Sequence, residues 1–360
     1  MLDSRVTVPP DRDNNFDLLR LVFAGSVFLW HLYVLSRAPA LEMFSQVFSA
    51  SIAVKGFFVI SGYLVMMSWE NSASLGDYAQ KRVRRIYPAY AAVVLACAAA
   101  GMFLTGLPLA QYFGTGLPGY LAANLAFLNF LAPTLPGVFE GQPYTEVNGA
   151  LWTLKIEVMY YAFVPVLAWL IARFGRWRVL VALYLLAVVY SMVMGELHAR
   201  SGAAIWLQLQ RQLPGQLGYF LAGVALYFLR DRLRGRWAAP VAAALAAYGV
   251  VMAIPGSAIT LLLEPAALGI LVVFAATGLP HLGNFARYGD FSYGVYIIHF
   301  PVVQALVAGG WFAGTPWTAL WVCAGLVAGL SALSWHAVER PFLRRRSHYR
   351  LAESRAAAGT

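Results

Sequence analysis

Charge is what this sequence has least of. Only 12% of its 360 residues are charged and 60% are hydrophobic, whereas a soluble domain carries about 25% charged residues. No polar stretch is long enough to form a separate soluble domain. Cysteine is nearly absent. Cys97 and Cys323 both lie in apolar runs, which excludes a disulfide scaffold or a cysteine metal site and leaves them as packing residues. The six histidines show no HxxxH spacing, and there is no Gly-rich phosphate loop, so no metal site is expected. The opening MLDSRVTVPPDRDNN lacks the basic start, short apolar core and small-residue cleavage site of a signal peptide. The first apolar run is therefore expected to be retained.

What the chain does have is long apolar runs. They fall at about 16–36, 50–69, 86–106, 154–172, 178–195, 213–230, 237–253, 258–277, 290–311 and 316–336. A run of about 20 residues crosses the hydrocarbon core as a helix. A further run, 117–133, is shorter and bounded by Pro118 and Pro133. The positive-inside rule decides its role. If it does not cross and the N-terminus is cytoplasmic, 20 of the 26 Lys and Arg residues fall inside, four fall outside, and Arg20 and Lys155 lie within spans. If it crosses, the asymmetry largely vanishes. The reading is an all-α polytopic membrane bundle of about ten transmembrane helices with both termini cytoplasmic. Residues 1–346 form one membrane domain, and 347–360 are expected to be a disordered cytoplasmic tail. Segment 107–150 becomes an outer-face or re-entrant excursion. The net charge of +10 then reflects cytoplasmic loops rather than nucleic-acid binding.

Ionisable residues inside such runs are costly and usually face a protein interior or water. Arg20 and His31 both lie in the first run. Eleven residues is three helical turns plus about 20°, so the two share a face about 16 Å apart along the axis. Snorkelling of Arg20 and a structural role for His31 are the plain alternatives. Asp17 stands three residues before Arg20, where it can pair with it. In the fourth run Glu157 is followed by Tyr160 and Tyr161 at i+3 and i+4. A structural ion pair of Glu157 with Lys55 or Lys155 is the alternative there, Lys155 lying on roughly the opposite side of the helix. Ser61 and Gly62 suit close helix packing. His299 lies about ten residues into the ninth run. The cluster KRVRRIYP at 81–88 is either ordinary positive-inside charge or a phosphate-binding group at the cytoplasmic face.

These motifs, in this order, resemble the acyltransferase-3 family of integral-membrane acyltransferases. Arg20-x10-His31 is similar to that family's Arg/Lys-x10-His signature, and GFFVISGYLV to its GxxxFFxxSGFL stretch. KRVRRIYPAY resembles RRxxRIxPxY, LWTLKIEVMYY resembles WSLxVExxFY, FSYGVYIIHFP resembles ISYxLYLxHxP, and VERPFLRRR resembles the terminal ERPF. Lys155 departs from the small or apolar residue expected before the Ile-Glu pair. No periplasmic hydrolase-like domain follows the last run, so a stand-alone member is expected.

The resemblance implies transfer of an acyl group, most often acetyl, from cytosolic acyl-CoA to a hydroxyl. The implied acceptors are carbohydrates: surface polysaccharide, lipopolysaccharide or a lipid-linked glycan at a bacterial inner membrane. His31 is expected to be catalytic as general base, oriented by Glu157 or a tyrosine. Arg20, Arg82 and Arg85 are expected to hold the phosphates of acyl-CoA, the donor substrate. No permanently bound cofactor is expected. Ser61, Tyr160 and His299 complete the candidates. The alternatives are an acyltransferase acting on a small secreted molecule and a proton-coupled transporter or flippase of a lipid-linked glycan. No internal repeat supports the transporter.

Overall fold

The computed structural model describes residues 14–114, 116–283, 285 and 289–344. The expected tail at 347–360 lies outside them. All ten expected apolar runs are helical: α1 (Phe16–Ser36), α3 (Ala50–Glu70), α4 (Leu75–Leu104), α7 (Trp152–Phe174), α8 (Arg176–Ser201), α10 (Leu213–Leu233), α11 (Ala238–Ala253), α12 (Ala258–Thr277), α13 (Phe291–Ala308) and α14 (Pro316–Ser334). Eight are long and apolar enough to cross a bilayer, alone or with an adjoining short helical segment. The other two are α10, with Arg230 and Arg232 in its last turn, and α11, whose 16 residues extend only about 24 Å. Short helices α2 (Met43–Val47), α5 (Leu109–Gly114), α6 (Leu117–Leu125), α9 (Ala204–Gln210) and α15 (Arg340–Phe342) lie between or after them. The chain is an all-α polytopic bundle.

Contacts fix the relative directions. Phe16 meets Tyr63 and Phe23 meets Phe57, so α1 and α3 are antiparallel. Arg20 faces Asp290 while His31 faces His299, so α1 and α13 are parallel. Lys55 lies by Tyr219, and Tyr227 bonds Glu70, so α3 and α10 are parallel. Helices that alternate in direction along the chain have these relations. Between α3 and α10 the backbones nearly touch. A Cβ on Gly62 would lie 2.0 Å from the Phe220 carbonyl oxygen, and one on Gly223 would lie 2.0 Å from that of Val59. Only glycine permits this approach.

The run 117–133 contains only the nine-residue α6, about 14 Å long, too short to cross as a helix. It belongs to a packed excursion clamped from two sides. On one side Tyr112 bonds the Ala98 carbonyl at 2.6 Å and Tyr90 bonds that of Asn124 at 2.7 Å. On the other, Asn148 bonds the Ile297 carbonyl at 2.8 Å and Gln304 that of Tyr144 at 2.7 Å. The basic cluster 81–88 differs from a loop: it is helical, because α4 begins at Leu75 and runs through Pro88. Ser74 caps its start, accepting from the Asp77 amide at 3.1 Å.

Candidate active site

The parallel pair α1 and α13 carries polar groups at both ends of a shared seam. In the last third of α1 and at the middle of α13, His299 Nε2 lies 3.1 Å from His31 Nδ1. Each Nδ1 also meets a backbone carbonyl one turn back: Val27 at 3.0 Å for His31 and Val295 at 3.1 Å for His299. His299 is wholly buried, while His31 is partly accessible. Aromatic rings wall the pair: Trp30 and Phe300 against His31, Phe28 and Tyr296 against His299. Tyr296 is held in turn by Thr153 of α7 at 2.6 Å.

At the other end of the seam lies an ionic cluster. Asp290, at the N-cap of α13, binds Arg85 and lies 3.8 Å from Arg20. Arg85 also binds Glu339 at 3.2 Å, and Arg20 lies 3.6 Å from Asp17. The carboxylates of Asp290 and Glu339 are almost wholly buried, at 3% and 2% exposed. Burial of such charges is tolerable because each is paired and hydrogen-bonded. The pairing of Arg20 with Asp17 is the one that helical spacing suggested.

Arg82 is held differently. It donates to Ser68 Oγ at 3.1 Å and lies over the Tyr161 ring at 5.6 Å, while its Nε is buried without a partner. Beneath it, Tyr161 donates to Glu157 at 2.5 Å, and Ser61 donates to the same oxygen at 3.3 Å. A polar line thus runs from Arg82 through Tyr161 and Glu157 to Ser61.

The candidate residues therefore divide into groups. His31 and His299 form one, Arg20 and Arg85 a second, and Arg82, Glu157 and Ser61 a third. Glu157 makes no hydrogen bond to His31; the groups bonded to His31 Nδ1 are His299 and Val27. Tyr160 lies apart, stacked on Phe220 with its hydroxyl buried and unpartnered. Lys55 does not pair with Glu157. It binds Glu264 of α12 at 2.6 Å, and Tyr219 donates to that carboxylate at 2.7 Å. Lys155 lies over the Phe130 ring at 4.4 Å. Two residues that join the site were not singled out from the sequence, Asp290 and Glu339. Their sequence signals were slight: an acid just before an apolar run, and the acid of the ERPF motif. Among the described residues no group of three His, Cys, Asp or Glu is arranged around a metal ion.

Residues 13–336 match the family model described as an acyltransferase domain. The chain belongs to the acyltransferase-3 family. It is 32% identical to nodulation protein 10 of Rhizobium leguminosarum bv. viciae, an alignment covering 93% of this chain and 94% of that one. It is 29% identical to an O-acetyl transferase of Shigella phage Sf6, covering 93% and 98%. It is 26% identical to acyltransferase MdmB of Streptomyces mycarofaciens, covering 71% and 68%. No solved structure matches. The chain is an integral-membrane O-acyltransferase.

Proposed function

We propose that the enzyme transfers an acyl group, acetyl in the first instance, from cytosolic acyl-CoA to a hydroxyl of an exported or surface glycan, with His31 as general base. The observation that carries this reading is the seam itself. Arg20 and Arg85 meet at one end of the α1–α13 seam, with the incompletely bonded Arg82 one helical turn before Arg85 on α4, and the imidazole pair lies further along the seam. The separation of about 16 Å along α1 gives room for the pantetheine arm between a phosphate clamp and a reacting thioester. Arg82 is the first contact for a phosphate, because Arg20 and Arg85 already hold carboxylates that a ligand must share or displace. Family membership favours an enzyme over the carrier alternative, and the phage relative's name supports acetyl transfer to oxygen.

The charge distribution supports the sidedness. The arginine end of the seam is the end at which the Arg173–Arg178 and Arg230–Arg236 connections emerge, so it is taken as cytoplasmic, with both termini on that side of a bacterial inner membrane. His31 then lies in the outer half, where an exported acceptor can reach it. In the step proposed, the acceptor O–H bond breaks as its proton moves to His31. The oxygen bonds the thioester carbonyl carbon, the C–S bond breaks, and the proton passes to the coenzyme A sulfur. Glu157 acts by holding Tyr161, the ring on which Arg82 rests, rather than by orienting His31.

The test uses purified protein in lipid nanodiscs with acetyl-CoA and glycan acceptor, read by release of free coenzyme A and by acetyl resonances of the glycan. His31→Ala should abolish transfer. A folded His31→Ala variant that still acetylates overturns the base assignment. Arg82→Ala with an unchanged donor KM overturns the clamp.

A further inference from the structure

The two backbone carbonyls beside the imidazole pair dictate where its protons lie. A carbonyl oxygen only accepts. His299 Nδ1, 3.1 Å from the Val295 carbonyl, therefore carries a hydrogen, and in the neutral ring Nε2 is left as a lone pair. That lone pair points at His31 Nδ1, 3.1 Å away. His31 Nδ1 also lies 3.0 Å from the Val27 carbonyl. With a hydrogen on Nδ1, His31 donates to both neighbours. With a bare Nδ1 it would set its lone pair against both the Val27 oxygen and the His299 Nε2 lone pair. Only the first arrangement satisfies every contact, and it leaves His31 Nε2 as the basic nitrogen. No described residue hydrogen-bonds that nitrogen.

We propose that His299 is a positioning residue that holds His31 in the Nδ1–H tautomer and presents His31 Nε2 to the acceptor hydroxyl. The proposal rests on His31 being the base. In a Ser-His-Asp triad a carboxylate does this work at the nitrogen opposite the reacting one. Here a neutral imidazole does it. When His31 Nε2 takes the hydroxyl proton, the imidazolium formed keeps its Nδ1–H bonded to His299 Nε2 and the Val27 carbonyl. The Nδ1 proton can shift no further than His299 Nε2, because the group beyond it is the Val295 carbonyl, which cannot carry it onward. The proton taken from the acceptor is on the opposite nitrogen, His31 Nε2, and stays there for delivery to the leaving sulfur. The aromatic wall of Phe28, Tyr296 and Phe300 keeps water from competing for His299 Nε2. Carboxylates at the other end of the seam, Asp290 and Glu339, take no part in this bond.

The test replaces His299 with Leu, which has bulk and no acceptor, and with Gln, whose side-chain carbonyl supplies an acceptor. It is run in nanodiscs on protein shown to be folded by thermal unfolding. His299→Leu should lower kcat by about 10–100-fold, on the scale seen when the partner that orients a metal-bound histidine is lost, with both KM values little changed. His299→Gln should recover most of kcat. His31→Ala should lose the full general-base contribution, about 10²–10⁴-fold. A role in packing alone predicts recovery by Leu rather than by Gln. If the Leu variant is not recovered folded, His299→Asn takes its place: the same amide one methylene shorter, with its acceptor out of reach. Parental kcat in His299→Leu, with His31→Ala inactive, overturns the positioning role and leaves the base reading standing. A folded His299→Gln as slow as His299→Leu overturns the tautomer assignment. An active His31→Ala overturns both.

Discussion

Lys55 and Glu264 form a buried ion pair whose removal should be costly. Lys55 Nζ lies 2.6 Å from Glu264, which also accepts from Tyr219 at 2.7 Å. The side chains are 22% and 9% exposed. Among the described residues, Glu264→Ala leaves the ammonium with only the Tyr219 ring, 5.2 Å away, and leaves the Tyr219 hydroxyl without an acceptor. Removing one partner of a buried pair costs roughly 3–5 kcal/mol. The residual exposure of Lys55 places the expected loss near the lower end, about 3 kcal/mol. The orphaned hydroxyl adds about 1 kcal/mol. A loss of about 4 kcal/mol is roughly a thousandfold in the folded-to-unfolded ratio. The double change Lys55→Met with Glu264→Leu removes both charges at similar volume and should regain most of the loss, since apolar replacements of buried pairs are often neutral. Reversible unfolding in bicelles, by steric trapping or denaturant titration, measures all three proteins. A single variant within about 0.5 kcal/mol of the parent, the range of an inert surface change, refutes the reasoning. So does a double variant no more stable than the single one.

Three other outcomes are expected. Asp290→Asn keeps an N-cap for α13 but removes the charge shared by Arg20 and Arg85. The donor KM should fall at low ionic strength, and less so at 0.5 M salt, where the Debye length shrinks to about 4 Å; a rise in KM at low salt would show that Asp290 orders the arginines instead of competing with phosphate. Gly223→Val pushes a side chain into the Val59 carbonyl and should destabilise the bundle by at least ~1–3 kcal/mol, seen as a lower unfolding midpoint. Tyr161→Phe removes one of the two hydrogen bonds to Glu157 but keeps the ring beneath Arg82. It should cost about 1.5–3 kcal/mol of stability and, by freeing the ring that Glu157 holds under Arg82, raise the donor KM in a titration with acetyl-CoA.

The helical runs were legible in the sequence because length and apolarity are local properties, and the run 117–133, read as too short and Pro-bounded, holds only a nine-residue helix. The shared face of Arg20 and His31, and the reach of Asp17 to Arg20, followed from helical periodicity alone. Glycine at position 62 was readable as a packing residue, but not as the place where α3 meets α10. The partners of the ionisable groups were not readable. Lys55 could have met Glu157 by depth, yet it lies against α12 and binds Glu264, 209 residues away. Arg85 finds Asp290 across 205 residues and His31 finds His299 across 268. Depth in the membrane depends on position along one helix, which the sequence states. The side on which two helices meet depends on how all of them pack, and a single helix carries no record of it. For that reason the sequence determined that a cation and an imidazole line one face of the first helix. Only the tertiary structure decided that a second imidazole, not a carboxylate, stands behind the first.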